Sequence, residues 1–127
     1  MEFSELIVKK VGRREWELVK DLVWYYSGTC KIITPAGFKT DFASIPRLFW
    51  WLFPPDGKYT PAAVVHDYPY KHGFIIIKKT NGKLIKTNIN KQEADNLFNV
   101  ALERLDVPNW KRRIFYQAVK WFGRYRH

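Results

Sequence analysis

The sequence changes character once, near residue 45, and that change limits the fold more than any other feature of the chain. Before it, ELIVKKV (5–11) and WELVKDLVWYY (16–26) are dense in β-branched and aromatic residues and partly alternate between apolar and polar. That is the period of a half-buried strand. CKIITPAGFKT (30–40) reads as strand, turn, strand, with Pro35, Ala36 and Gly37 as the reversal, and Gly28 marks an earlier turn. Three or four antiparallel strands are expected here. After residue 45, apolar residues recur at helical spacing, and prolines stand where helices begin or end. The expected class is α+β: an N-terminal antiparallel β-region followed by a helical C-terminal half with an inserted β-hairpin.

The second half divides at its prolines and glycines. IPRLFWWLFPP (45–55) predicts a short helix starting near Pro46 and stopped by Pro54 and Pro55. Its aromatic run reads either as core packing or as an exposed patch that meets a partner or a membrane. TPAAVVHDYPYKHG (60–73) predicts a helix with Thr60 as N-cap, Pro61 in the first turn and Gly73 as stop. Pro69 lacks a backbone donor, so this helix is expected to kink or end between His66 and Tyr70. Asn81-Gly82 inside FIIIKKTNGKLIKT is a strong hairpin signal. Asn90 and Glu93 form a capping box for a helix from Lys91 to Asp106, which Val107-Pro108 breaks. A last helix spans 109–125, with Trp110, Ile114, Ala118, Trp121 and Tyr125 on one side and Arg112, Arg113, Lys120 and Arg124 opposite.

At 127 residues the chain is expected to form a single domain, 1–127. Hydrophobic residues make up 46%, aromatics 17%, enough for a packed core and against a disordered or fibrous chain. The lone Cys30 makes neither an intrachain disulfide nor a thiolate metal site, so the core alone is expected to hold the fold. The early acidic residues of MEFSELIVKKVGRREWELV speak against a signal peptide, and no stretch reaches the roughly 20 apolar residues of a transmembrane helix.

The chemistry concentrates in VVHDYPY (64–70). On a helix, His66 and Tyr70 lie four apart and share a face, whereas Asp67 points about 100° away. His66 therefore needs a carboxylate from elsewhere. In EADNLFNVALERL (93–105), Ala94, Leu97, Phe98, Ala101, Leu102 and Leu105 form the apolar arc, and Asp95 sits at its edge. An acid at such a border needs a partner, because an unpaired buried charge is costly. The expected pair is His66–Asp95, bridging two packed helices. Such a pair either orients a general base or is a structural hydrogen bond locking the helices, and both readings stay open. Asp67 is left to a salt bridge, for instance with Lys71 at i+4, or to a hard cation, Ca2+ or Mg2+, helped by carbonyls of PPDGKY (54–59). A zinc site fails on ligand count.

A second constellation, GFKTDFASIPR (37–47), crowds Thr40, Asp41, Ser44 and Arg47 at the junction of strands and helices, either as a substrate site or as structural caps. Ser44 lies in no nucleophile elbow.

TDFASIPRLFW, AAVVHDYPY and EADNLF, in that order, resemble an uncharacterised family common in tailed phages and prophages, domain of unknown function 1353. The resemblance covers about two thirds of the chain, from Gly37 to the C-terminal helix. Pro69 stands where that family usually has leucine. It implies a phage origin without supplying an activity. The box H-D-x-x-Y followed by a helix carrying Asp is also similar to the catalytic helix pair of secreted phospholipase A2. That similarity implies His66 as the base, Asp67 as calcium ligand, Asp95 as the orienting acid and Tyr70 in support. The disulfides of that family are missing here, and PPDGKY offers only Gly57 of its glycine-rich calcium loop.

The formal net charge is +10. No acid occurs in 68–92 or from Val107 onward, and each block carries six lysines or arginines. The expected partners are an anionic ligand, a membrane surface or an acidic protein, and no nucleic-acid motif is present. The expected location is the host cytoplasm or the virion. The leading functional expectation is a hydrolase-like site, acting on an ester or phosphoester, in which His66 activates water, Asp95 orients it and Asp67 holds a divalent cation. The competing expectation is a non-catalytic binding protein, a virion or assembly component or an inhibitor of a host factor, with the motifs as internal glue.

Overall fold

The computed structural model describes residues 2–13, 15–40 and 60–125, with 118–125 given by backbone alone. The segment IPRLFWWLFPP, the residues Asp41, Ser44 and Arg47, and the loop 54–59 lie outside the described residues.

The N-terminal region forms β1 (Val8–Gly12), β2 (Glu15–Leu18), β3 (Leu22–Trp24), β4 (Cys30–Thr34) and β5 (Lys39–Thr40). WELVKDLVWYY, which reads as one run, supplies two strands. The polar pair Lys20-Asp21 interrupts it, and the Asp21 carboxylate accepts from the Ala36 amide at 2.7 Å. That bond ties the bend to the Pro35–Ala36–Gly37 turn. The strands on either side of this turn do not pair with each other: β4 joins β3, and β5 joins β2. The turn, with Gly37 at φ 88°, instead carries the chain from one sheet to the other. Leu18 is the seam, donating its amide to the Phe38 carbonyl and accepting from the Gly37 amide.

The hairpin strands are β6 (Phe74–Lys79) and β7 (Leu84–Asn88). The Gly82 amide donates to the Lys79 carbonyl at 2.9 Å, and Gly82 adopts φ 83°. This is the three-residue loop in which a left-handed residue follows a tight turn. The hairpin is inserted between two helices in sequence and joins the N-terminal β-region in space. β6 pairs antiparallel with β4, completing a four-stranded sheet of order β3-β4-β6-β7 beside the three-stranded sheet β1-β2-β5.

Helix α1 (Thr60–His72) is buried along its whole middle, from Ala62 to Tyr70. A helix apolar on all sides belongs inside a domain. α1 packs on α2 (Lys91–Arg104) on one side and reaches β4, β5 and β6 on the other. The sequence predicts a kink or an end between His66 and Tyr70, and with packing on both sides the helix does not end there. It runs on to His72, and Gly73, at φ 79°, closes it by donating to the Pro69 carbonyl.

α2 begins at the expected capping box: the Asn90 side chain accepts from the Glu93 amide at 2.8 Å and the Glu93 side chain from the Asn90 amide at 3.0 Å. It ends with Asp106 in the left-handed region, φ 63°, while the Val107 amide donates to the Leu102 carbonyl. This is a Schellman closure, sealed by the buried Leu102 and Val107. Helix α3 (Asn109–Tyr125) packs on α2 with Phe115, fully buried, at the contact. Of the apolar side expected on α3, Ile114 packs against the core, whereas Trp110 is 55% exposed. The core fills the space between Leu22, Trp24, Ile32 and Ile75 of the larger sheet and Val64, Val65, Phe98 and Leu102 of the helices. Each such side chain contributes about 1.5–3 kcal/mol on full burial. Among the described residues, no helix is long and apolar enough to cross a membrane. The antiparallel β-region followed by a helical half is the expected fold class.

Candidate functional site

Because α1 is packed on both sides, its adjacent residues His66 and Asp67 reach different neighbours. His66 faces α2. Its Nε2 lies 2.8 Å from Asp95 Oδ1. The capping box at Asn90 fixes where α2 starts, and so sets Asp95 one turn later at the height of His66. A carboxylate oxygen accepts from an imidazole N–H, so Nε2 is placed to donate to Asp95. His66 Nδ1 is buried and has no hydrogen-bond partner among the described residues.

The imidazole is covered by aromatic rings. Tyr70 stacks on it with centroids 4.9 Å apart at 30°, and Phe98 tilts against it at 5.2 Å. His66 is 1% exposed and Asp95 4%. Tyr70 shares the face of His66, as the i, i+4 spacing requires. Phe98 is the partner that sequence reasoning placed in the core without linking it to the histidine. Its signal was present, since Phe98 follows Asp95 by three and lies on the same face of α2.

Asp67 turns toward the smaller sheet. It is fully buried, and its Oδ2 accepts from Thr40 Oγ1 at 2.9 Å. The Lys71 ammonium, one helical turn on, stands 3.2 Å from the same oxygen. Lys71 also reaches the Lys39 carbonyl and lies over the Phe38 ring. A buried carboxylate persists when hydrogen bonds and a counter-charge replace its water, and Thr40 and Lys71 do this. The i+4 salt bridge expected of Asp67 is therefore present, and Thr40 of the junction segment is tied to α1 through it. Lys71 holds a positive charge beside the oxygen a cation would use. Among the described residues, no group of three or more His, Cys, Asp or Glu side chains comes together to hold a metal ion.

Tyr68, between His66 and Tyr70, points to a different cluster and packs edge-on against Phe38 and Phe74. Burial pushes its phenol above the usual tyrosine range. Taken together, α1 carries two polar clamps on opposite flanks, one to α2 and one to β5, both embedded in aromatic packing.

Over 110 residues the chain is 30% identical to the "Uncharacterized protein y4jT" of Sinorhizobium fredii (strain NBRC 101917 / NGR234). The alignment spans 85% of this chain and 29% of that protein. No solved structure matches the chain. Residues 16–119 match the family described as "Protein of unknown function (DUF1353)", a stretch that contains both clamps, and the chain belongs to that family.

Proposed function

We propose that the chain is a phage-type, non-catalytic binding module with an anionic partner, acting as a virion or assembly component or as an inhibitor of a host factor. The observation that carries the non-catalytic reading is the burial of His66, 1% exposed beneath Tyr70 and Phe98. A general base has to reach the proton it removes, directly or through one water. In this packing His66–Asp95 works as a lock between α1 and α2. The phage assignment rests on the ordered motifs TDFASIPRLFW, AAVVHDYPY and EADNLF. The anionic partner follows from the net charge of +10 and from acid-free stretches rich in lysine and arginine. The test is a pair of variants, His66→Ala and Asp95→Asn, assayed for melting temperature and for hydrolysis of ester and phosphoester substrates. The reading expects no turnover by the native chain and a clear loss of stability in both variants. Turnover by the native chain, abolished in variants that melt normally, would sink it.

One observation favours a second reading, a His/Asp-dependent hydrolase of esters or phosphoesters. Asp95 holds one ring nitrogen of His66 while the other has no partner among the described residues. That is the polarity of an oriented base, should the aromatic cover open. In this reading Asp67 takes Ca2+ or Mg2+ in exchange for Lys71, and Tyr70 supports the ring. Calorimetric titration of Ca2+ and Mg2+ into the native chain and Asp67→Asn decides the cation. Heat that depends on Asp67 supports it, and none in either protein removes it.

A further inference from the structure

The four-stranded sheet carries no carboxylate at all. From Leu22 to Thr34 and from Phe74 to Asn88 there is no Asp or Glu, but there are Lys31, Lys78, Lys79, Lys83 and Lys86. Within this sheet Lys31 of β4 stands directly opposite Lys78 of β6, and the neighbouring register pair is Cys30 with Lys79. Like charges directly across a strand pair repel and destabilise it. The carboxylates that form ion pairs among the described residues are committed elsewhere: Glu17 to Lys9, Asp67 to Lys71, Glu2 to Arg104 and Glu103 to Arg112. Lys31, Lys78 and Lys79 have no ion pair among the described residues.

These lysines border a hollow of about 240 Å³ at one end of the sheet, where the turn after β3 meets the β6–β7 turn. Ser27, Thr29 and Thr80 also line it. Ser27 Oγ already accepts from the backbone amides of Thr29 and Cys30, and it lies 3.2 Å from Thr29 Oγ1. With both its acceptor positions used in this way, Ser27 turns its own hydrogen toward Thr29 Oγ1 or toward Cys30 Sγ, 3.4 Å away, and the Thr29 hydroxyl keeps its hydrogen to donate. A wall of ammonium and hydroxyl donors without acidic acceptors suits an oxyanion. The hollow is smaller than the roughly 300–1,000 Å³ of drug-sized ligand pockets, which fits a phosphate head rather than a large organic body.

We propose that this hollow between the two turns binds a phosphate group, held by Lys31 and Lys78, which share one face of the sheet, with the Thr29 and Thr80 hydroxyls. The proposal rests on the anionic-partner reading above and names its site and chemistry. The phosphate relieves the repulsion between Lys31 and Lys78, so binding and strand-pair stability are coupled. The source is either a soluble phosphate ester or a phospholipid headgroup.

The experiment measures melting temperature in inorganic phosphate against chloride at matched ionic strength. It uses the native chain, the double variant Lys31→Gln/Lys78→Gln and a control, Lys111→Gln/Arg113→Gln on α3. Amide chemical shifts of 27–31 and 78–82 are followed in parallel. The native chain and the control should be stabilised by phosphate, with shifts confined to the two turns. The double variant should melt no lower than the native chain in chloride, yet bind phosphate about tenfold or more weakly for each lysine removed. A phosphate response that survives in the double variant but vanishes in the α3 control overturns this site and leaves the anionic-partner reading standing. No response in the native chain, with no binding to phosphatidic acid vesicles, overturns both. Sedimentation with phosphatidic acid vesicles, but not phosphatidylcholine vesicles, that needs Lys31 and Lys78 assigns a lipid headgroup. Binding of free phosphate without vesicle binding assigns a soluble ester.

Discussion

His66 and Asp95 meet across the α1–α2 contact with 2.8 Å between Nε2 and Oδ1, in surroundings that leave each at most 4% exposed. Removing one partner of a buried hydrogen-bonded pair leaves the other unsatisfied, which costs about 1–3 kcal/mol. Asp95→Ala is expected to lose about that much in chemical denaturation. Asp95→Asn keeps the shape and an acceptor, and should lose less. A double-mutant cycle with His66→Ala should show a coupling of about 1 kcal/mol or more, because the two side chains act as one unit. Additive losses would mean that the contact contributes nothing beyond packing.

The second clamp predicts a separate effect. Thr40→Val keeps the volume of the side chain but withdraws a hydroxyl from the buried Asp67 carboxylate. The expected loss is about 1–3 kcal/mol. Since Thr40 ties β5 to α1, amide exchange should quicken in β5 and in its partner strand β2 more than in β7. Uniform change across both sheets would contradict this.

Asp106 closes α2 in the left-handed region, at φ 63°, next to the negative end of the helix dipole. Glycine adopts that backbone without a Cβ penalty. Asp106→Gly should therefore stabilise the chain by up to about 1 kcal/mol, read as a raised denaturation midpoint with unchanged slope. A lowered midpoint would show that the carboxylate makes a contact of its own.

Tyr68 sets the behaviour in alkali. Its folded-state pKa is raised by burial, so the phenol holds its proton longer in the folded chain than in the unfolded one. The stability this provides is complete below the unfolded value of about 10 and is lost as pH rises through the folded value. The stability difference between the native chain and Tyr68→Phe should accordingly stay level up to about pH 10 and shift against the native chain above it.

Local chemistry made much of this fold readable. The Asn90–Glu93 box, the Asn81-Gly82 turn and the Gly73 stop each rest on a few adjacent residues, and each appears where its chemistry puts it. The His66–Asp95 pair was readable for a related reason. Helical spacing separated His66 from Asp67, and Asp95 stood at the margin of an apolar arc. What the sequence concealed was long-range pairing. Nothing in CKIITPAGFKT tells that its two strands join different sheets, or that the hairpin strand β6 adds to β4 across the intervening residues 35–73. Pro69 misled because propensity counts a lost backbone bond and does not see packing on both sides of the helix. Trp110 misled because a helical wheel shows where apolar residues gather, not which neighbour arrives to cover them.

The central claim, that His66 is a sealed lock rather than a working base, can be tested on the native chain by diethylpyrocarbonate acylation followed by mass spectrometry. The chain has three histidines, and His72, at the exposed end of α1, serves as the internal reference. The account predicts rapid modification of His72 while His66 stays protected until the chain unfolds. Acylation of His66 in the folded chain at a rate close to that of His72 would contradict it and place an accessible nucleophilic nitrogen at the His66–Asp95 pair.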